Sequence, residues 1–278
     1  MPLLSLITTC KGRLHHLRES LPRMLAQEAC ECIVVDYDCP DGSGDWVAAH
    51  HPNARLVKVV SQPLFRHSHA RNLGAAMATA PWLAFVDADT LLSPAYGREI
   101  VARLSAGHFY RPWPMQRDIW GNVVCAKAAF DMIGGYDEVM LGWGGEDDDL
   151  YLRLAYSGNE PANYPAALVG AISHATADRV RFSDIDDRWL SQRMHAFYCR
   201  IKYDLMRQTA QTVLPLDVRR ALYEEVRRTV VADAARGSPA SSITVHLPAE
   251  PGVRIRGWAI RRAWTYTLER LPNVPPPP

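Results

Sequence analysis

Residues 3–9 form a short apolar run that predicts a buried strand, and Leu14, Leu17, Leu21 and Leu25 then recur at helical spacing. A second β-branched run over 32–36 ends in Asp36. Turn residues Pro40, Asp41, Gly42, Ser43 and Gly44 follow, then a helix through Trp46 to His50. Residues 56–60 predict a third strand, 68–79 a helix entered from a basic loop with Phe65, Arg66 and His67, and 82–86 a fourth strand. Continuous apolar strands alternating with helices predict an α/β fold with a mostly parallel central sheet, Rossmann-like, covered by helices on both faces. Ligands bind such sheets beyond the carboxyl ends of the strands. Three polar groups fall there: Thr8 and Thr9 with Lys11 and Arg13, then Asp36, then Asp87 with Asp89.

Beyond Asp89 the alternation weakens. Residues 100–104 end a helix, 113–124 read as an extended hairpin, and 127–133 as a short helix before Gly134 and Gly135. Residues 150–157 predict a helix that begins inside an acidic run. Its dipole favours carboxylates there, so Asp147 serving simply as a cap is the plain alternative to any chemistry. Residues 185–209 and 216–235 predict two Arg-rich amphipathic helices, and the proline tail at 275–278 predicts disorder. The expected organisation is one domain over 1–182, with a nucleotide-binding half at 1–90 and an acceptor or catalytic half at 91–182. A mainly helical extension over 183–278 follows. Trp189, Tyr198 and Tyr203 are its candidate aromatic contacts to a glycan or lipid, against a plain role in its core.

Composition narrows the partners. The chain has 278 residues, 48% of them hydrophobic, with 31 basic against 30 acidic side chains. That length buries a full core. The near-balanced charge gives no global field for nucleic acid or an anionic membrane. Six cysteines without a Cys-x-x-Cys pair predict reduced structural thiols rather than a metal ribbon. The N-terminus carries neither a signal peptide nor a spanning segment, so the expected place is the cytoplasm, or the inner membrane face as a peripheral protein.

The sharpest chemistry lies in Gly142-Trp143-Gly144-Gly145-Glu146-Asp147-Asp148-Asp149. Adjacent carboxylates repel and must be solvated, paired or metal-bound. Asp-x-Asp by itself is weak, because the chain holds four such pairs, at 36/38, 87/89, 147/149 and 184/186. Only Asp87 and Asp89 close an apolar strand. Hard oxygen ligands held there suit Mg²⁺ or Mn²⁺ bridging a diphosphate. An acceptor hydroxyl attacking a sugar also needs a carboxylate to take its proton, and the run at 146–149 is available.

Together, Thr8-Thr9-x-Lys11-x-Arg13, Val35-Asp36, Ala70-Arg71-Asn72-x-Gly74, Val86-Asp87-Ala88-Asp89 and the Trp143 run resemble a GT-A fold glycosyltransferase over residues 3–180. The first half is similar to family 2 transferases, the second to the galactosyltransferase-type segment of β-1,4-galactosyltransferases and their bacterial relatives. The resemblance implies that Thr8, Thr9, Arg13 and Asp36 hold the nucleotide, with Arg71 near its base or diphosphate. It implies Asp89 as metal ligand and Asp87 on the ribose or a metal-bound water. Trp143 and Gly145 would shape the sugar and acceptor pocket. Glu146 would bind sugar hydroxyls, Asp147 would be the base, Asp148 would take acceptor or sugar, and Asp149 would be structural. His174 stands where relatives place a metal-binding histidine, whereas His67 and His69 read as loop residues.

Two departures bear on these roles. The second strand ends Asp36-Tyr37-Asp38-Cys39 where family 2 relatives often carry Asp-Asn/Asp-Gly-Ser, and the membrane stem of animal galactosyltransferases is missing, which favours a soluble bacterial-type enzyme. The function implied is Mn²⁺- or Mg²⁺-dependent, inverting transfer of a hexose from a nucleotide sugar, UDP-linked, to a glycan, glycolipid or small-molecule hydroxyl. The rivals are a retaining N-acetylgalactosaminyltransferase-like enzyme and a non-catalytic nucleotide-sugar or carbohydrate-binding module.

Overall fold

Strand β1 (Leu4–Cys10) is buried along nearly its whole length, as an interior strand covered on both faces must be. In the computed structural model, which describes residues 1–173, 180–247, 254–255, 258–259 and 261–271, it is an interior strand, third in order, of a seven-stranded sheet. His174 and the tail at 275–278 lie outside the described residues. The described residues fall into two units, Met1–Asp186 and Asp187–Pro278.

The first unit follows the predicted alternation: β1, α1 (Leu14–Leu25), β2 (Cys30–Tyr37), α2 (Ser43–His50), β3 (Arg55–Val59), α3 (His67–Met77) and β4 (Trp82–Phe85). Then come β5 (Thr90–Leu92), α4 (Tyr96–Val101), β6 (His108–Trp113), β7 (Val123–Ala126), α5 (Lys127–Met132), α6 (Glu146–Tyr156), β8 (Glu160–Pro165) and β9 (Val169–Ala171). The sheet order is β3-β2-β1-β4-β7-β6-β8. All neighbours pair in parallel except β7, which runs antiparallel to both β4 and β6.

Register sets the working edge. Cys10 pairs with Asp36, Ile7 with Phe85, and Phe85 with Val123, so β1, β2 and β4 end where β7 begins. The predicted hairpin over 113–124 is therefore corrected in detail. Its strands lie at and beyond its two ends, joined by a loop with one 3₁₀ turn at Arg117–Ile119. Pro112, Pro114 and Gly121 explain this, because proline donates nothing to a ladder and glycine weakens one. That loop is thereby delivered to the carboxyl edge.

Two apolar clusters flank the sheet. One joins Leu6, Val34 and Val124 to Leu17 and Leu21 of α1; the other joins Ile7, Phe85 and Phe109 to Phe130 of α5 and Leu150 and Leu154 of α6. On the second face α3 packs close to β1, because Gly74 sits where a Cβ would come 2.3 Å from Ile7.

In the second unit, α7 (Arg188–Thr209) starts later than the pattern predicts. Asp187 caps it, accepting from the amides of Trp189 at 2.8 Å and Leu190 at 3.1 Å. Helix α8 (Leu216–Ala235) follows Pro215 as expected. Strand β10 (Ala240–His246), the two-residue pair β11 (Arg254–Ile255) and β12 (Trp258–Ala259), and β13 (Ala263–Glu269) complete the unit, with β10 antiparallel to β13. Tyr198 is fully buried with its ring edge-on to Tyr223, so it is core and not a glycan contact. No helix among the described residues is long and apolar enough to cross a membrane.

Candidate active site

Helix α6 begins at Glu146 because the chain before it is glycine in left-handed backbone, with φ of 90° at Gly144 and 89° at Gly145. A side chain at either position would be strained. All four acids then occupy the first turn, where the helix dipole favours negative charge. No side chain caps this helix, so Asp147 is not a cap.

Arg71 gathers the acids from two places. From α3, 7% exposed, it donates through Nη2 to Asp87 Oδ1 at 2.9 Å. Through Nη1 it donates to Asp147 Oδ1 at 3.0 Å and Glu146 Oε1 at 3.2 Å. One buried guanidinium thus joins the end of β4 to the start of α6, and its fork suits several carboxylate oxygens at once. The Tyr136 hydroxyl also donates to Asp147 Oδ1, at 3.3 Å.

The neighbouring motif residues serve this arrangement. Asn72 accepts from the Tyr136 amide at 2.9 Å and donates to its carbonyl at 3.0 Å, which fixes the tyrosine against the ring-facing Arg71. Ala70 is fully buried.

The four acids of the run have different surroundings. Asp149 is structural as expected: Arg153, one turn on, donates to its Oδ2 at 2.8 Å and ties down the Ile133 and Gly135 carbonyls. Asp148 is exposed and accepts from the indole of Trp120 at 2.9 Å. Glu146 is buried beside Arg71. Burial pushes the Asp147 carboxyl up to about 7. Arg71 opposes the rise, and Glu146, Asp87 and Asp148 add to it through like charge.

Gly121, in the loop before β7, leaves space in front of these groups. A Cβ there would lie 2.6 Å from Asp87 Oδ2 and 3.3 Å from Asp147 Oδ2. Trp143 and Gly145 are half-buried at the entry to α6.

At the ends of β1 and β4, Arg13 and Asp89 approach at 3.8 Å, each 17% exposed. Thr9 is half-buried, whereas Thr8 is 1% exposed, and its hydroxyl has no hydrogen-bond partner among the described residues. Asp36 faces its own loop: it accepts from the amides of Cys39 and Gly44 and the hydroxyl of Ser43, each at 3.0 Å. Lys11 likewise donates to the carbonyls of Tyr37, Asp38 and Gln62.

For a divalent cation the donor chemistry fits. Asp87 and Asp89 present hard carboxylate oxygens at the end of β4, and bound phosphate oxygens complete such shells. Among the described residues no three His, Cys, Asp or Glu side chains converge as a ready-made cage. The residue after β9 reaches Asp89, since Ile172 donates its amide to the Asp89 carbonyl at 2.8 Å.

Sequence reading missed three neighbours of the site. Trp120 and Gly121 sit in a loop without periodicity. His67 reads as a loop residue but opens α3 one turn before Arg71, and that spacing places both on one helix face. Burial lowers its pKa, and it feels the charges of Glu146, Arg71 and Asp87.

Residues 5–113 match the family model for glycosyl transferase family 2, and residues 102–177 the model for the N-terminal domain of galactosyltransferase. Two relatives, both validoxylamine A glucosyltransferases, come from Streptomyces hygroscopicus subsp. jinggangensis (strain 5008) and subsp. limoneus. Each is 26% identical over 55% of this chain, covering 51% and 48% of the relatives. The chain thus spans about half the length of the curated relatives it matches. The mannosyltransferase PcManGT from Pyrobaculum calidifontis, in complex with GDP-Man and Mn²⁺, matches with a TM-score of 0.54 at 16% identity, over 85% of this chain and 76% of that one. Residues 1–349 of TarS from S. aureus, in complex with UDP, match with a TM-score of 0.53 at 12% identity, over 86% and 92%. At such identities the structural likeness carries the fold, which is the GT-A architecture.

Proposed function

We propose, from the matches of residues 5–113 to glycosyl transferase family 2 and of residues 102–177 to the galactosyltransferase model, that the chain moves a hexose from a nucleotide sugar, UDP-linked, to an acceptor hydroxyl with inversion. The observation that carries this reading is the Arg71 junction, which joins the strand-end Asp87 to Glu146 and Asp147 of the acidic run.

Arg13 and Thr9 line the nucleotide side of the sheet edge. Asp89 and His174 would hold Mn²⁺ or Mg²⁺, with Asp87 on the ribose or a metal-bound water. When bound, the cation neutralises charge on the departing diphosphate. Glu146 would orient sugar hydroxyls, Trp143 would wall the sugar pocket, and Asp148 beside Trp120 would take the acceptor.

Asp147 is the base. Its Oδ1 is held by Arg71 and Tyr136, which fixes the carboxylate, and its Oδ2 faces Gly121, where a Cβ would lie 3.3 Å away. The acceptor hydroxyl proton passes to Asp147 as its oxygen attacks the anomeric carbon, so one displacement needs one base. A pKa near 7 matches a base working at neutral pH.

The test is nucleotide release and product formation by wild type and Asp147→Asn across a panel of acceptors, with the product anomer read by NMR. The expected result is an inverted product and its loss in the variant. A retained anomer would support the retaining rival. Donor binding without turnover would support a binding module, and full activity in the variant would remove Asp147 as base.

A further inference from the structure

Cys10 is the last residue of β1 and fully buried, and its register partner is Asp36. Three residues past Asp36, Cys39 is half-buried, with its amide bound to Asp36 Oδ1 at 3.0 Å. The Gly12 amide donates to Cys39 Sγ at 3.1 Å, which sets that sulfur against the backbone two residues past Cys10, and each thiol shifts the other's proton affinity. The fold therefore places two cysteines side by side at neighbouring strand ends, one buried and one half-buried. Through the Gly12 amide, Cys39 touches the backbone next to Arg13.

We propose that Cys10 and Cys39 are an oxidisable dithiol, which closes to a disulfide between the end of β1 and the turn after β2 and weakens donor binding at that edge. The effect on donor binding rests on the donor-site reading above; the dithiol itself does not.

The surroundings favour the chemistry. The hydrogen bond from Cys10 lowers the Cys39 thiol to about 5 against the opposing effect of burial. The Ser43 hydroxyl and the Asp41 and Gly12 backbone act in the same direction. Cys39, half-buried and with the Gly12 amide on its sulfur, is the attacking thiol, and the fully buried Cys10, whose pKa is raised, is the resolving one.

With a peroxide as oxidant, the Cys39 thiolate attacks one peroxide oxygen. The O–O bond breaks, hydroxide leaves, and a sulfenic acid remains. Cys10 then gives up its proton and attacks the Cys39 sulfur; the S–O bond breaks and water leaves. The dithiol loses two electrons and hydrogen peroxide becomes two waters.

The test treats the reduced full chain with hydrogen peroxide, alkylates the remaining thiols and maps the peptides by mass spectrometry. The expected result is a Cys10 to Cys39 link reversed by dithiothreitol, with Cys30, Cys32, Cys125 and Cys199 alkylated. Free Cys10 and Cys39, a Cys39 that stops at an oxyacid, or a different pairing would overturn the dithiol.

Titration calorimetry with UDP and Mn²⁺ then compares reduced and oxidised protein. Weakening by about tenfold or more on oxidation is expected, with Cys39→Ser binding like reduced wild type and ignoring peroxide. Equal affinity in the linked and reduced protein would overturn the regulatory effect. Failure of the reduced protein to bind UDP would count against the donor site, and the peptide map would still decide the dithiol.

Discussion

Asp147 and Arg71 depend on each other. Asp147→Asn keeps the shape of the side chain while removing the base and one charge from a crowded site. The fold should survive, and turnover should fall by about 10²- to 10⁴-fold with little change in donor affinity, measured by steady-state kinetics beside calorimetry. In wild type, kcat/KM should rise with pH through about 7 as Asp147 loses its proton. The groups that tune it are Arg71, Glu146, Asp87 and Asp148, with Tyr136 holding its Oδ1.

Arg71→Met should instead act on stability, because three carboxylates lose their shared partner. Removing one side of a buried ion pair costs about 3–5 kcal/mol. The unpaired acids can escape by protonation, so the deficit should shrink as pH falls through the carboxylate range, read by urea denaturation at pH 7 and pH 4. Gly121→Ala should raise KM by crowding Asp87, since its Cβ would lie 2.6 Å from Oδ2. At this scale the acids were legible, because Asp-x-Asp after an apolar strand and four acids in a row are conspicuous in one dimension. Their partner was less so. The resemblance implies Arg71 at the base or diphosphate, and only the fold, which brings its guanidinium to the first turn of α6, puts it among the acids. Asp149 was legible as structural, and its i,i+4 relation to Arg153 confirms that role.

Single side chains also decide how elements join. Glu31 in β2 accepts from the Ser5 hydroxyl of β1 at 2.6 Å, from Arg55 of β3 at 3.0 Å, and from the amides of Thr79 and Ala80 leading into β4. Partial burial raises its pKa, but these hydrogen bonds outweigh it and bring the carboxyl to about 2. A depressed carboxyl stabilises the fold above its unfolded value, and that contribution is lost as pH falls from about 4.5 through about 2. Glu31→Ala should cost about 1–3 kcal/mol at pH 7 by leaving donors unpaired, with the difference from wild type closing in acid, measured by thermal melts across pH.

Most elements of the first unit were legible, because β-branched runs and helical leucine spacing are local signals. The strands of the second unit were not. Β10 reads Ala-Ser-Ser-Ile-Thr-Val-His and pairs with distant β13, so its partner supplies the pattern that its own sequence lacks.

For the whole molecule, the sheet order brings β1, β4 and β7 to one edge, and the site follows from that topology. Sequence reading found the fold class, and the structure brings Asp87, Glu146 and Asp147 from the two acidic motifs together on Arg71. The loop before β7 stayed hidden, because antiparallel insertion of β7 beside β4 is a long-range choice. The central claim is that this edge binds a nucleotide sugar through a divalent cation. The most direct measurement is thermal stabilisation of the full chain by a panel of nucleotide sugars, with and without Mn²⁺. Ligand at about 100 times its Kd adds about 2.7 kcal/mol to stability. The account predicts a rise of several degrees for a UDP-hexose with Mn²⁺, lost in Asp89→Ala and reduced without metal. No shift with any nucleotide sugar, or an undiminished shift in Asp89→Ala, would contradict it.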